Sequence, residues 1–139
     1  MEYKRYDNDI VLRLDKSDEI LSSIAKIAET EDVKAASFTG IGASDDIDVG
    51  IFSIEKSTYE KFHYEGNHEI TSLTGNITTA DNKPYIHAHI TCADKDGKIV
   101  GGHLLKGNIS LTCEIFIHIL DCRVKRKYDP QTNINKFDF

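Results

Sequence analysis

The sequence predicts an α+β fold: a mostly antiparallel or mixed β-sheet with one main helix, in a single domain. Three observations carry this. One apolar stripe at helical spacing lies near the N-terminus, in Ile20, Leu21, Ile24, Ile27 and Ala28. About seven or eight strand-like runs fill the rest, joined mostly by hairpin signals. The 139 residues hold no repeat, low-complexity segment or Pro/Gly-rich linker, and suffice for one sizeable core.

The elements follow in order. Ile10 to Leu14 alternates as a strand. Ser17 is suited to cap the helix, which places Asp18 and Glu19 in its first turn, where they favour the dipole. The stripe then runs to about Thr30. Val33 to Phe38 is a strand ending in Thr39-Gly40-Ile41-Gly42-Ala43. That stretch lacks the remaining glycine and the lysine of a phosphate loop, and Asp45, Asp46 and Asp48 beside it would repel phosphate, so it reads as a plain turn between strands. Further strands are expected at Ile47–Ile54, Thr58–Tyr64, His68–Thr78, Tyr85–Ala93, Lys98–Leu104 and Asn108–Leu120. Pro84 marks a strand start and Pro130 the beginning of the tail. Beyond Tyr128 the chain turns polar. Residues 1–128 are therefore read as the domain and 129–139 as a loosely docked C-terminal tail.

Composition excludes several classes. Hydrophobic residues make up 40% and charged residues 29%, the balance of a globular domain. Apolar runs such as Ile115–Leu120 are too short to span a bilayer, and Met1–Arg5 leads into no apolar signal core. The expectation is a cytoplasmic protein with no membrane partner. Cys92, Cys113 and Cys122 are odd in number and form no Cys-x-x-Cys pair, which argues against a disulfide scaffold or a cysteine zinc cluster. The net charge of −6 opposes non-specific nucleic-acid binding, which needs cationic groups to displace counterions. The one basic cluster, Arg123, Lys125, Arg126 and Lys127, reads as a solvated edge after the last strong strand.

His87, His89 and His103 are the most informative residues. His87 and His89 stand two apart in a strand and so share a face. Asp94-Lys95-Asp96-Gly97 is turn chemistry, and a strand returning through Ile99 and Val100 brings His103 back beside the pair. Three converging imidazoles with one free coordination position form the ligand set of an open metal site, most often zinc. On the last strand Leu111, Cys113, Ile115, Ile117 and Ile119 share the core face. Glu114 and His118 share the other. That face is either solvated or lines a cavity in which Glu114 serves the metal as a partner or general base. Glu69 is a weaker candidate of the same kind.

These residues resemble a family. Gly66-Asn-His-Glu-Ile-Thr-Ser-Leu-Thr-Gly-Asn-Ile77, His87-Ala-His89, Asp96-Gly97, Gly101-Gly-His-Leu104 and Cys113-Glu-Ile115 look like the plants and prokaryotes conserved domain, abbreviated PPC or PCC. Arg13-Leu14, the helix after it and Phe38–Ala43 fit as well, so the likeness spans roughly residues 8–125. The resemblance implies a trimer-forming domain, here a homotrimer. It implies a DNA-associated role in plants, where the domain follows AT-hook motifs, and prokaryotic stand-alone members carry a DNA-binding label. This chain has no Arg-Gly-Arg-Pro hook, and the expectation is weak or no DNA binding. The fold is also similar to that of acetolactate decarboxylase and a zinc-dependent ester hydrolase, which hold zinc on a His-x-His pair and a later histidine. His87, His89 and His103 match that pattern, with a different spacing to the third. Two functions stay open: a zinc site that binds or acts on a small molecule, and a DNA-associated or protein-interaction module in which the histidines are structural.

Overall fold

The chain first reverses at Asp7, whose φ of 50° is a left-handed value that aspartate tolerates. This closes an antiparallel hairpin between β1 (Glu2–Tyr6) and β2 (Asp9–Asp15). The computed structural model describes residues 1–139. A single helix, α1 (Ile20–Thr30), follows, then β3 (Ala36–Ser53), β4 (Thr58–Ala80), β5 (Lys83–Asp94) and β6 (Ile99–Ile119). A last hairpin, β7 (Lys125–Asp129) with β8 (Ile134–Asp138), completes the chain. The result is one domain, a sheet largely antiparallel with a single helix, as the pattern of elements predicts.

β6 pairs with β2, β3 and β5, β3 pairs with β4, and β4 pairs with β5. Strands β3, β4, β5 and β6 therefore close on one another, which removes β5's free edges. The helix lays Ile20, Ile24, Ile27 and Ala28 against this sheet, where they meet Leu12, Leu14, Phe38, Leu73, Ile90 and Ile115 in one core. Burying each Leu or Ile there contributes about 1.5–3 kcal/mol. Asp81 and Asn82, both at positive φ, make the tight turn into β5, and Pro84 sits at that strand's start, where a missing N–H is tolerated.

Four expectations are corrected. The helix is capped by Glu19, whose carboxylate accepts from the backbone N–H of Leu21 at 3.1 Å and of Ser22 at 2.7 Å. Ser17 instead takes φ 74° and donates its N–H to the Ile109 carbonyl, so Asp18 and Glu19 precede the first turn. Second, Thr39–Ala43 is no turn: β3 runs straight through it. Gly40 and Gly42 are there because β6 passes close by. A Cβ on Gly42 would lie 2.3 Å from the Thr112 carbonyl, and one on Gly40 2.9 Å from that of Glu114. Third, Leu111 leaves the core face and is 72% exposed. Between Gly42 and Ser44 the partner on β6 jumps from Cys113 to Ile109, and the residues looped out at this bulge include Leu111. Fourth, the polar tail is ordered as β8, paired with β7 along its whole length. No helix is long and apolar enough to cross a membrane.

Candidate metal centre

Register assembles the three histidines. Asn76 lies opposite His87, and Thr74 opposite His89. Asp94 Oδ1 accepts from the N–H groups of Asp96 and Lys98, both at 2.9 Å, and Gly97 takes φ 77°, so the chain turns sharply into β6. The returning strand places His103 directly opposite His89. Gly101 permits the close approach, since a Cβ there would meet the Ile90 carbonyl at 2.3 Å. The ring centroids stand 5.1–5.5 Å apart, and one ring nitrogen from each lies within 4.8 Å of the others.

Burial drives His87 and His103 toward the neutral form. Burial, with smaller contributions from His87 and His89, pushes His103 down to about 4. Burial, then Arg126 and His89, lowers His87. Both are neutral at pH 7, as a metal ligand must be. His103 Nδ1 is buried and has no hydrogen-bond partner. An unpartnered buried nitrogen costs about 1–3 kcal/mol. Converging imidazole nitrogens, one of them buried and unpartnered, fit a divalent ion that accepts imidazole, zinc foremost.

Beside the triad opens a cavity of about 250 Å³, lined by Tyr59, Tyr85, His87, His103, Arg126, Asn133, Ile134 and Asn135. Tyr59 stacks on His103 with centroids 4.8 Å apart. Sequence reasoning missed Tyr59, and it placed Arg126 on a solvated edge. Arg123, Lys125 and Lys127 are exposed as expected, but Arg126 turns inward between the rings of Tyr85 and Phe137. The only sequence signal for this was strand alternation from Lys125 to Lys127.

Glu114 is not brought to the histidines. It is exposed on β6, opposite Arg13 of β2 and Ile41 of β3. His118 is held by Asp9 at 2.8 Å. Glu69 lines a different cleft, with Lys16, Asp45, His68 and Asp94. A second cluster, unseen in the sequence, joins Asp46 and Asp48 of β3 to His63 of β4. His63 Nδ1 lies 2.6 Å from Asp48, and its Nε2 lies 3.2 Å from Glu65. These acids raise its pKa, Glu65 most. Asp46 Oδ2 accepts from Lys106 Nζ at 2.6 Å and Asn108 Nδ2 at 2.8 Å, and its buried Oδ1 has no hydrogen-bond partner.

A closed, mostly antiparallel sheet with one helix and three histidines gathered across β5 and β6 defines the class. Within it the chain belongs to the Plants and Prokaryotes Conserved (PCC) domain family, whose model matches residues 1–121. It is similar to a protein of Bacteroides thetaiotaomicron named as a candidate DNA-binding protein: 27% identity over 99% of this chain and 96% of the other, TM-score 0.96. It is similar to a metal-containing protein of Archaeoglobus fulgidus: 31% identity over 99% and 97%, TM-score 0.89. A Staphylococcus aureus protein described as similar to α-acetolactate decarboxylase shares the fold, at 14% identity over 83% and 53%, TM-score 0.57. No curated protein matches the chain.

Proposed function

We propose that the chain is a stand-alone PCC-domain protein that holds zinc on His87, His89 and His103 and binds or acts on a small molecule in the adjoining cavity. The observation that carries this is the triad itself: three imidazoles within reach of one ion, with a buried Nδ1 that nothing in the protein satisfies. The relative named as metal-containing supports it. When bound, the ion supplies Lewis acidity toward a ligand oxygen. The chain's own residues do the rest. β5 and β6 fix the imidazoles in place, Tyr59 covers His103, and Arg126 presents a cation beside His87. We place the protein in the cytoplasm and expect a homotrimer, which light scattering would report as about three times the 15.6 kDa chain.

Metal analysis of protein purified without a histidine tag tests the reading. About one zinc ion per chain is expected. Chain without metal, and without zinc uptake on titration, would sink it.

The DNA-associated alternative draws on the names of relatives. Against it stand the charge of −6 and the inward turn of Arg126, which leaves only Arg123, Lys125 and Lys127 of the basic cluster exposed. Anisotropy titration with duplex DNA at about 0.15 M salt should show no binding below about 10 μM. Sub-micromolar binding that weakens steeply with salt would promote this alternative.

A further inference from the structure

We propose that Arg126 makes the histidine pocket a receptor for small carboxylates, gripping the anion beside a metal held by His87, His89 and His103. The inference rests on the metal reading above and names the ligand class for that site. A guanidinium has five N–H groups and no acceptor. Arg126 Nε donates to Thr78 Oγ1 at 2.9 Å, and Nη1 to the Asn135 carbonyl at 2.9 Å. Nη2 donates to Asn76 Oδ1 at 2.8 Å and faces His87 Nδ1 at 3.4 Å. Every one of these acceptors is neutral, and one N–H on Nη1 has no partner. The guanidinium is also half-buried between two aromatic rings, 4.7 Å from each centroid. Ring faces attract a cation but do not neutralise it. A charge withdrawn from water is ordinarily paired with an opposite charge, and here the protein provides none.

Metal binding sharpens the demand. A neutral imidazole has one nitrogen that accepts and one that carries a proton. If His87 coordinates through Nδ1, that lone pair is spent on the ion. If it coordinates through Nε2, Nδ1 carries the proton. In either case Arg126 Nη2 loses its acceptor at His87, and each terminal nitrogen of the guanidinium then has an N–H to give. The pocket would hold a divalent ion and a guanidinium side by side, yet no acidic residue lines it. Two cations at short range in a partly desolvated cavity call for an anion. At about 250 Å³ the cavity lies under the roughly 300–1,000 Å³ of drug-sized pockets. Tyr59 and Ile134 give it an apolar wall. A small organic acid satisfies both the charge and the wall, whereas a bare inorganic anion satisfies only the charge. Arg126, Ile134 and Asn135 all belong to the β7–β8 hairpin, beyond residue 121 where the family match ends. Ligand choice is thereby assigned to the hairpin, and metal holding to β5 and β6.

Calorimetric titration of the zinc-loaded full chain tests this, with acetate and propionate as probes and acetamide and propionamide as neutral isosteres. The acids should bind and the amides should not. Arg126→Met should weaken acid binding by about tenfold or more while zinc content stays unchanged. Arg126→Lys, which keeps the charge, should retain part of the affinity, and it decides the matter if Arg126→Met fails to fold. The proposal is overturned if neither acid binds, if amides bind as well as acids, or if Arg126→Met binds acids like the wild type. Loss of zinc from Arg126→Met also overturns it, because Arg126 would then support the metal ligands. Tighter, Arg126-dependent binding of inorganic phosphate would overturn the assignment to carboxylates. A wild-type chain that takes up no zinc fails earlier, at the metal analysis, and brings down the metal reading and this proposal together.

Discussion

The two polar clusters of this sheet make opposite use of histidine. His63 sits among Asp48, Glu65 and Asp46, and Lys106 pairs with Asp46 Oδ2, so the protein meets that cluster with charges of its own, although Asp46 Oδ1 is buried without a hydrogen-bond partner. It is exposed, and its imidazole is pushed toward the protonated form. The triad is the reverse. His87 and His103 are half-buried, driven toward the neutral form, and faced by no carboxylate, and one nitrogen is left with nothing to bond. Each cluster leaves one buried atom without a partner, so what separates them is neighbouring charge: the acidic cluster pairs its members with charges of its own, and the triad has no acid beside it. By count the two clusters are equal.

Removing one residue from each cluster should have the largest and most unequal effects. His89→Ala should take zinc from about one per chain to near none, because two imidazoles hold an open site poorly, whereas Asp48→Asn should leave metal content unchanged. Metal lost from both variants, or from neither, would erase the distinction. A second comparison uses glycines. Gly75 lies opposite Ala88, between the rows that carry His87 and His89, and a Cβ there would meet the Phe38 ring at 2.3 Å and the His87 carbonyl at 2.4 Å. Gly75→Ala should cost about 1–3 kcal/mol in urea unfolding and weaken zinc binding. Gly66, beside the acidic cluster at φ 90°, meets nothing within 4 Å, so Gly66→Ala should cost only about 1 kcal/mol of backbone strain and leave zinc untouched.

Titration sharpens the same contrast with smaller effects. In NMR, His63 should titrate above the ordinary histidine value, and Glu65→Gln with Asp48→Asn should bring it back toward that value. The sign for stability follows from a raised folded pKa. The contribution of protonated His63 is fully present below its unfolded pKa and disappears as pH rises through the folded one. The stability gap between wild type and His63→Asn should therefore close on going from acid to alkaline pH. The smallest effect is expected in the hairpin. Phe137→Ala removes one ring from Arg126 and should loosen β8 by about 0.5–1 kcal/mol, read as faster hydrogen exchange at residues 134–138 with no change around His63.

The triad was legible because strand alternation and one turn suffice to place it. His87 and His89 are fixed by period two, and Asp94–Gly97 fixes the return to His103. The helix was legible from its stripe, though not its cap, because Glu19 reaches Leu21 and Ser22 with a longer side chain than the serine that spacing favoured. Gly40 and Gly42 misled because a glycine that admits a neighbouring strand looks the same in sequence as one that turns the chain. Leu111 misled because a bulge breaks parity without a residue signature. The acidic cluster depended on cross-strand register, which no local pattern contains, and alternation from Lys125 to Lys127 set Arg126 apart without saying what the last hairpin docks against. Glu114 was on the outward face as parity required, but the distance along β6 from His103 was not part of that inference.

β6 is the shared partner of β2, β3 and β5, and it occupies residues Ile99–Ile119. During synthesis it emerges after every other strand of the closed sheet. Until it does, β2 lacks its inner neighbour, the sheet cannot close, and His87 and His89 wait without their third member. Roughly the first hundred residues therefore leave the ribosome with β1–β2, β3–β4 and β4–β5 able to pair but with the sheet still open. The order of translation thus makes closure of the sheet, and the meeting of His103 with His87 and His89, a late step that waits for β6.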